Sequence, residues 1–128
     1  MQVFPGSRYV GMVWAGRVIS GLCMAALTMS AVMKFLQPPM LLEEMARFEI
    51  PTTKLVMIGV IELICVLLYA IPRTAALGAV LLTGYLGGAT LTHLRIDDPI
   101  FGPVVIGIFV WLGLWFRDAR VRALLPLR

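Results

Sequence analysis

Residues 55–71, LVMIGVIELICVLLYAI, contain a single charged residue, Glu62, in an otherwise apolar run. At 1.5 Å per residue the run is about 25 Å long, and about 17–25 apolar residues suffice for a helix to cross a ~30 Å hydrocarbon core. Lipid offers no partner to a free N–H or C=O, so a segment of this kind satisfies its backbone as a helix.

Reading outward, three comparable runs occupy residues 13–36, 74–94 and 100–116. Together they predict an all-α polytopic membrane protein, a bundle of four transmembrane helices in one domain over residues 1–128. The composition agrees. The 128 residues are 60% hydrophobic before the 12 glycines are added and only 14% charged, with a mean hydropathy of +0.94. Soluble domains are roughly 45–50% apolar with glycine included and about 25% charged. A soluble domain of this size buries only about two thirds of its surface, so water would meet large apolar patches. That excludes a secreted disulfide scaffold, a disordered tail and an ordinary cytosolic enzyme. The first run is too long for the apolar part of a signal peptide and lacks a small-x-small cleavage site, so it reads as a helix. Cys23 and Cys65 lie inside apolar runs and read as core packing.

An even number of spans puts both termini on one side. Arg8, Arg17, Arg73, Arg117, Arg120, Arg122 and Arg128 fall on that side, and Lys34, Arg47, Lys54 and Arg95 on the other. The excess of basic residues predicts that the termini are cytoplasmic in a bacterial cytoplasmic membrane. Because these residues flank apolar runs rather than forming a patch with interleaved aromatics, the net charge of +4 does not indicate a nucleic-acid partner. Trp14, Trp111 and Trp115 are expected near the cytoplasmic interface.

The connections add detail. Pro38 and Pro39 end the first span, and Leu41, Leu42, Met45 and Phe48 then recur at helical spacing opposite Glu43, Glu44 and Arg47. This predicts a short helix over residues 40–49 lying in the outer interface and stopped by Pro51. Ile71-Pro72-Arg73 reads as a tight cytoplasmic turn, and Ile96-Asp97-Asp98-Pro99 as a short acidic outer turn.

Glu62 is the residue most informative about chemistry. It lies about 12 Å into its helix, where an unpaired carboxylate costs several kcal/mol, so it is expected to face the bundle interior. Lys34 ends a small and polar stripe, Gly16, Ser20, Cys23, Leu27, Ser30 and Lys34, and is either an interfacial lysine or the partner of Glu62. Tyr85 and His93 share a face of the third span, and Arg95 follows as a clamp for an anionic group or a helix flank. Gly84 and Gly88 form a GxxxG pair, expected to allow close helix approach within the bundle or in a homodimer. No CxxC, HxxxH or HxxE spacing occurs, so no metal is expected. P-loop, Rossmann and nucleophile-elbow patterns are likewise missing from the sequence.

Ser30-Ala31-Val32-Met33-Lys34-Phe35, Gly59-Val60-Ile61-Glu62-Leu63, Pro72-Arg73, Leu77-Gly78-Ala79 and Gly88-Ala89-Thr90-Leu91-Thr92-His93-Leu94-Arg95 follow one another in an order and spacing that resemble the DoxX-like family of small four-helix membrane proteins. The resemblance covers about residues 15–116. The family pattern has a Ser-Gly pair before the lysine of the first helix, where this chain has Ser30-Ala31. The resemblance implies the four-helix fold and maps the family's polar positions onto Lys34, Glu62, His93 and Arg95. It implies less about activity. The namesake is similar to a subunit of a thiosulfate:quinone oxidoreductase, and other relatives are linked to redox-complex assembly or to chaperoning.

Two readings of function follow. In the first, the outer half of the bundle holds a lipophilic molecule such as a quinone or isoprenoid. Lys34, Ser30, Tyr85 and Arg95 contact it, and Glu62 and His93 act as acid and base for proton-coupled redox or isomerase chemistry. In the second, the chain is a non-catalytic accessory subunit or assembly factor whose interfacial segment, through Leu41, Met45 and Phe48, captures a membrane partner. Transport is the weaker alternative, because four helices around one deep carboxylate leave a narrow pore.

Overall fold

The computed structural model describes residues 6–125. Its helices are α1 (Gly6–Leu36), α2 (Pro39–Arg47), α3 (Leu55–Ala70), α4 (Ala75–Arg95), α5 (Phe101–Arg117) and α6 (Ala119–Leu124), with one 3-10 turn, Thr52–Lys54, leading into α3. Arg8–Leu36, Thr52–Ala70 and Ala75–Arg95 are long and apolar enough to cross a membrane. The fourth span, α5, has 17 residues and stands at the short end of the required range. The protein is thus an all-α integral membrane protein, and each of the later three spans begins and ends within a residue of its expected place.

The first helix starts at Gly6 rather than at residue 13. Hydropathy locates the lipid-immersed part of a helix, whereas nothing between residues 6 and 12 stops its backbone ladder from running on. A second difference is α6, a short helix that the sequence reading leaves as tail. Its N-cap is Asp118, whose side chain accepts from the Arg120 N–H at 2.9 Å, and Arg120 also donates to the Pro72 carbonyl at 3.1 Å.

Four long helices form a closed ring. α1 packs against α3 and α5, and α4 packs against the same two. Consecutive spans therefore run antiparallel around the ring, in an up-down-up-down arrangement. The face α1 turns inward is the predicted stripe, with Ser20, Cys23, Leu27 and Lys34 all buried and Ala31 beside them. The core that closes the ring is built from Leu82, Leu86, Val110 and Leu114 together with Tyr69. Cys23 and Cys65 are both buried and free.

The two ends of the ring differ. At the end carrying the termini, three glycines admit another backbone. A Cβ on Gly16 would stand 2.7 Å from the Arg117 N and the Gly113 carbonyl, one on Gly113 would meet Ser20 Oγ at 2.6 Å, and one on Gly78 would strike the Tyr69 backbone. Gly84 and Gly88, the expected GxxxG seam, have no such neighbour, since a Cβ on either meets nothing within 4 Å. The close approach falls on isolated glycines instead, and the GxxxG pair borders open space within this chain.

At the opposite end α2 folds over the ring. Pro39 occupies its first turn, where the missing N–H costs nothing. Met45 and Phe48 pack with Leu55 into a second small core, joined by Leu41, Leu42, Ile50 and Ile96. Gln37, Glu49 and Asp97 take left-handed conformations, with φ of 53°, 60° and 55°, where the chain leaves α1, α2 and α4. Such residues turn the chain sharply out of a helix, at a cost a glycine would not carry.

Candidate functional site

The chemistry gathers at the α2 end. Lys34 lies in the last turn of α1, four residues beyond Ser30, so both side chains share a face. Its Nζ donates to Ser30 Oγ at 2.7 Å and to Glu62 Oε2 at 2.8 Å. Tyr85 of α4 donates its hydroxyl to the same Oε2, again at 2.8 Å. The ammonium also stands 6.0 Å from the centre of the Tyr85 ring. Three helices thus converge on one carboxylate oxygen.

Glu62 is 0% exposed and Lys34 8% exposed. Hydrocarbon is a poor solvent for either charge alone, and their contact is what allows both inside the bundle. The arrangement is lopsided, however. Oε2 accepts two hydrogen bonds while the equally buried Oε1 has no partner. Glu62 lies in the wall of a cavity of about 600 Å³ that Ser30, Lys34, Tyr85 and His93 also line. Gly84 and Gly88 border the same cavity, where side chains would otherwise fill the space.

His93 lies at the outer part of this wall. Its Nδ1–H donates to Asp98 Oδ2 at 2.6 Å, and Arg47 donates to the other Asp98 oxygen at 2.8 Å. Phe48 meets the imidazole edge-on with ring centres 4.7 Å apart. The His93 hydrogen bond first, and the Arg47 guanidinium second, hold the Asp98 carboxyl below the usual aspartate range. Asp98 therefore orients the imidazole and ties the end of α2 to the α4–α5 connection.

Of the residues singled out in the sequence, the structure brings Ser30, Lys34, Glu62, Tyr85 and His93 to one cavity. It takes Arg95 elsewhere, to an exposed pair with Glu49 at 3.4 Å. It also adds two residues that the sequence reading passed over. One is Asp98, whose signal is its position five residues after His93. The other is Tyr69, seven residues after Glu62 and so on the same face of α3. Tyr69 is fully buried; its hydroxyl donates to the Val110 carbonyl at 2.6 Å and accepts from Ser20 Oγ at 2.9 Å. Arg117 donates to the Tyr69 carbonyl at 2.9 Å and covers its ring at 4.8 Å. The hydroxyls of this second polar knot are satisfied, Arg117 Nε is buried without a partner, and the knot ties α1, α3 and α5 together. Among the described residues no group of three or more His, Cys, Asp and Glu side chains is placed to hold a metal.

A four-span ring with one buried Lys–Glu pair defines a small integral membrane protein, and comparison with known families gives it a place. The profile of the DoxX-like family matches residues 18–116, most of the chain, and the protein belongs to that family. No curated protein and no solved structure shows significant similarity to it.

Proposed function

We propose that this DoxX-like protein binds a lipophilic small molecule of quinone or isoprenoid type in the cavity at the α2 end. The observation that carries this reading is Glu62, a fully buried carboxylate that lines a cavity of about 600 Å³ and whose Oε1 has no partner. An orphaned buried oxygen is costly in a protein that only needs to fold, and a bound polar group would satisfy it. The cavity also falls in the usual size range for small-molecule sites, which are mostly apolar with a few converging polar groups.

In this reading Ser30 and Lys34 hold the carboxylate in place, and Tyr85 fixes its direction. Glu62 is the proton acceptor, and His93, oriented by Asp98, is the second acid-base group. Proton-transfer isomerisation needs no more than such a pair. Quinone reduction would use the same two groups with electrons supplied by a partner protein. Arg95 stays outside the site. The protein would sit in a bacterial cytoplasmic membrane with both termini inside, as the basic residues at that end suggest.

The accessory-subunit reading finds less support, because the apolar face of α2 offered for partner capture is occupied. Met45 and Phe48 are buried in the chain's own second core.

Purification in mild detergent, an absorption spectrum and mass spectrometry of extracted small molecules test the proposal, with Glu62→Gln as control. A stoichiometric lipophile present in the wild type and lost in the variant is the expected result. Bulk lipid alone in both would overturn it.

A further inference from the structure

The cavity has a neighbour. A groove of about 630 Å³ runs along the outside of α4 and α5, lined by Thr83, Gly87, Thr90, Gly107 and Trp111. Its wall is almost entirely apolar, and several of its residues, Thr83, Gly87 and Ile108 among them, are exposed and so face lipid. The cavity and the groove share two lining residues, Leu86 and Pro103, both buried. These two side chains are therefore common to the carboxylate cavity and the outer groove. Gly107 leaves room beside Leu86, since a Cβ there would meet only the Leu86 Cδ1 methyl, at 3.7 Å.

The head of the occupant follows from the hydrogen bonds. Lys34 and Tyr85 both donate to Oε2, so Glu62 acts as an acceptor, and its free oxygen calls for an O–H or N–H donor. Lys34 already balances the charge of Glu62, so a cationic head would add an uncompensated charge to a buried site. An anionic head would face the carboxylate. A neutral donor remains.

We propose that the occupant is a neutral amphiphile, a long-chain alcohol or a phenol, whose hydroxyl donates to Glu62 Oε1 and whose apolar tail leaves between α4 and α5 past Leu86 and Pro103 into the lipid-facing groove. This rests on the ligand-binding reading above and adds the class of head and the path of the tail. Among quinone-type molecules it selects the hydroquinone over the quinone, because only the former carries a donor.

Three probes test it on the purified full-length protein in detergent, compared at equal mole fraction in the micelle. They are farnesol, farnesyl methyl ether and geraniol, with the fluorescence of groove residues Trp111 and Trp115 as the readout. The wild type is expected to bind farnesol about tenfold more tightly than its methyl ether, which has the same tail without the donor. In Glu62→Gln, Lys34 and Tyr85 keep the amide oxygen and leave the NH₂ facing the cavity, so the preference should vanish or reverse. Farnesol is also expected to exceed the shorter geraniol, and Gly87→Leu, which fills the groove at an exposed position, should erase that advantage. Equal wild-type affinity for farnesol and its ether would overturn the assignment of the head. An undiminished advantage of the longer chain in Gly87→Leu would overturn the path of the tail. Binding of none of the three by a folded wild-type protein would instead bring down the ligand-binding reading itself.

Discussion

Lys34 and Glu62 neutralise each other across α1 and α3, 2.8 Å apart in a part of the bundle where neither could remain charged alone. Lys34→Met or Glu62→Leu leaves the other group buried without its counter-ion. Each should lower stability by about 3–5 kcal/mol, and the double variant Lys34→Met/Glu62→Leu should recover most of that loss. Unfolding of the four proteins in detergent measures the cycle; single losses that simply add in the double variant would argue against a shared pair.

Tyr69→Phe removes a hydroxyl that serves both Val110 and Ser20. A loss of about 1–2 kcal/mol is expected, because hydrogen bonds inside membrane proteins are individually modest. Probe binding at the opposite end should not change. A calorimetric melt and a farnesol titration on one sample separate the two effects.

The glycines divide into two kinds. Gly16→Ala and Gly78→Ala push a methyl into neighbouring backbone and should each cost about 1–3 kcal/mol. Gly84→Ala and Gly88→Ala enter open space and should leave stability unchanged or raise it by about 0.5–1 kcal/mol, as alanine for glycine does within a helix. A larger residue, as in Gly88→Leu, should keep the fold and reduce ligand binding. Melting curves of the four alanine variants would reveal any inversion of this order.

The Asp98 carboxyl, lowered from its ordinary value of 3.8 by His93 and then Arg47, contributes stability that is fully present above that value and is lost as pH falls through the lower native one. Acidification below about pH 4 should therefore release the end of α2 before the ring opens. Hydrogen exchange over residues 39–48 should rise at acid pH in the wild type, and Asp98→Asn should show the same rise at neutral pH. Exchange there that is indifferent to both would mean that the small core around Leu55 holds α2 without help.

Much of the bundle could be read from the chain alone because hydrocarbon imposes a length and a polarity on each span. The same physics singled out Glu62, and the stripe ending at Lys34 supplied its partner. Tyr69 escaped notice because a tyrosine near the end of a span resembles an ordinary interfacial residue until its inward face is known. Small-residue spacing identifies a smooth face without saying what lies opposite, and Gly84 and Gly88 meet no helix of this chain. Of the glycines that do admit a neighbouring backbone, Gly16 heads the small stripe of α1, while Gly78 and Gly113 belong to no such pattern. α6 is six residues long with two arginines, too short for any periodicity to emerge. Asp98 was visible only as a charge in a turn, because its partners come from α4 and from the end of α2.

The placement of those three glycines also has a mechanical side. Where backbones touch with no side chain between them, helices have little freedom to slide or part, so the end of the ring near the termini behaves as a fulcrum. Any tilting of the spans must then grow with distance from it, through the level of Glu62 to the α2 end. Gly16, Gly78 and Gly113 lie outside the cavity lining, yet they would govern how far its walls yield when a guest arrives.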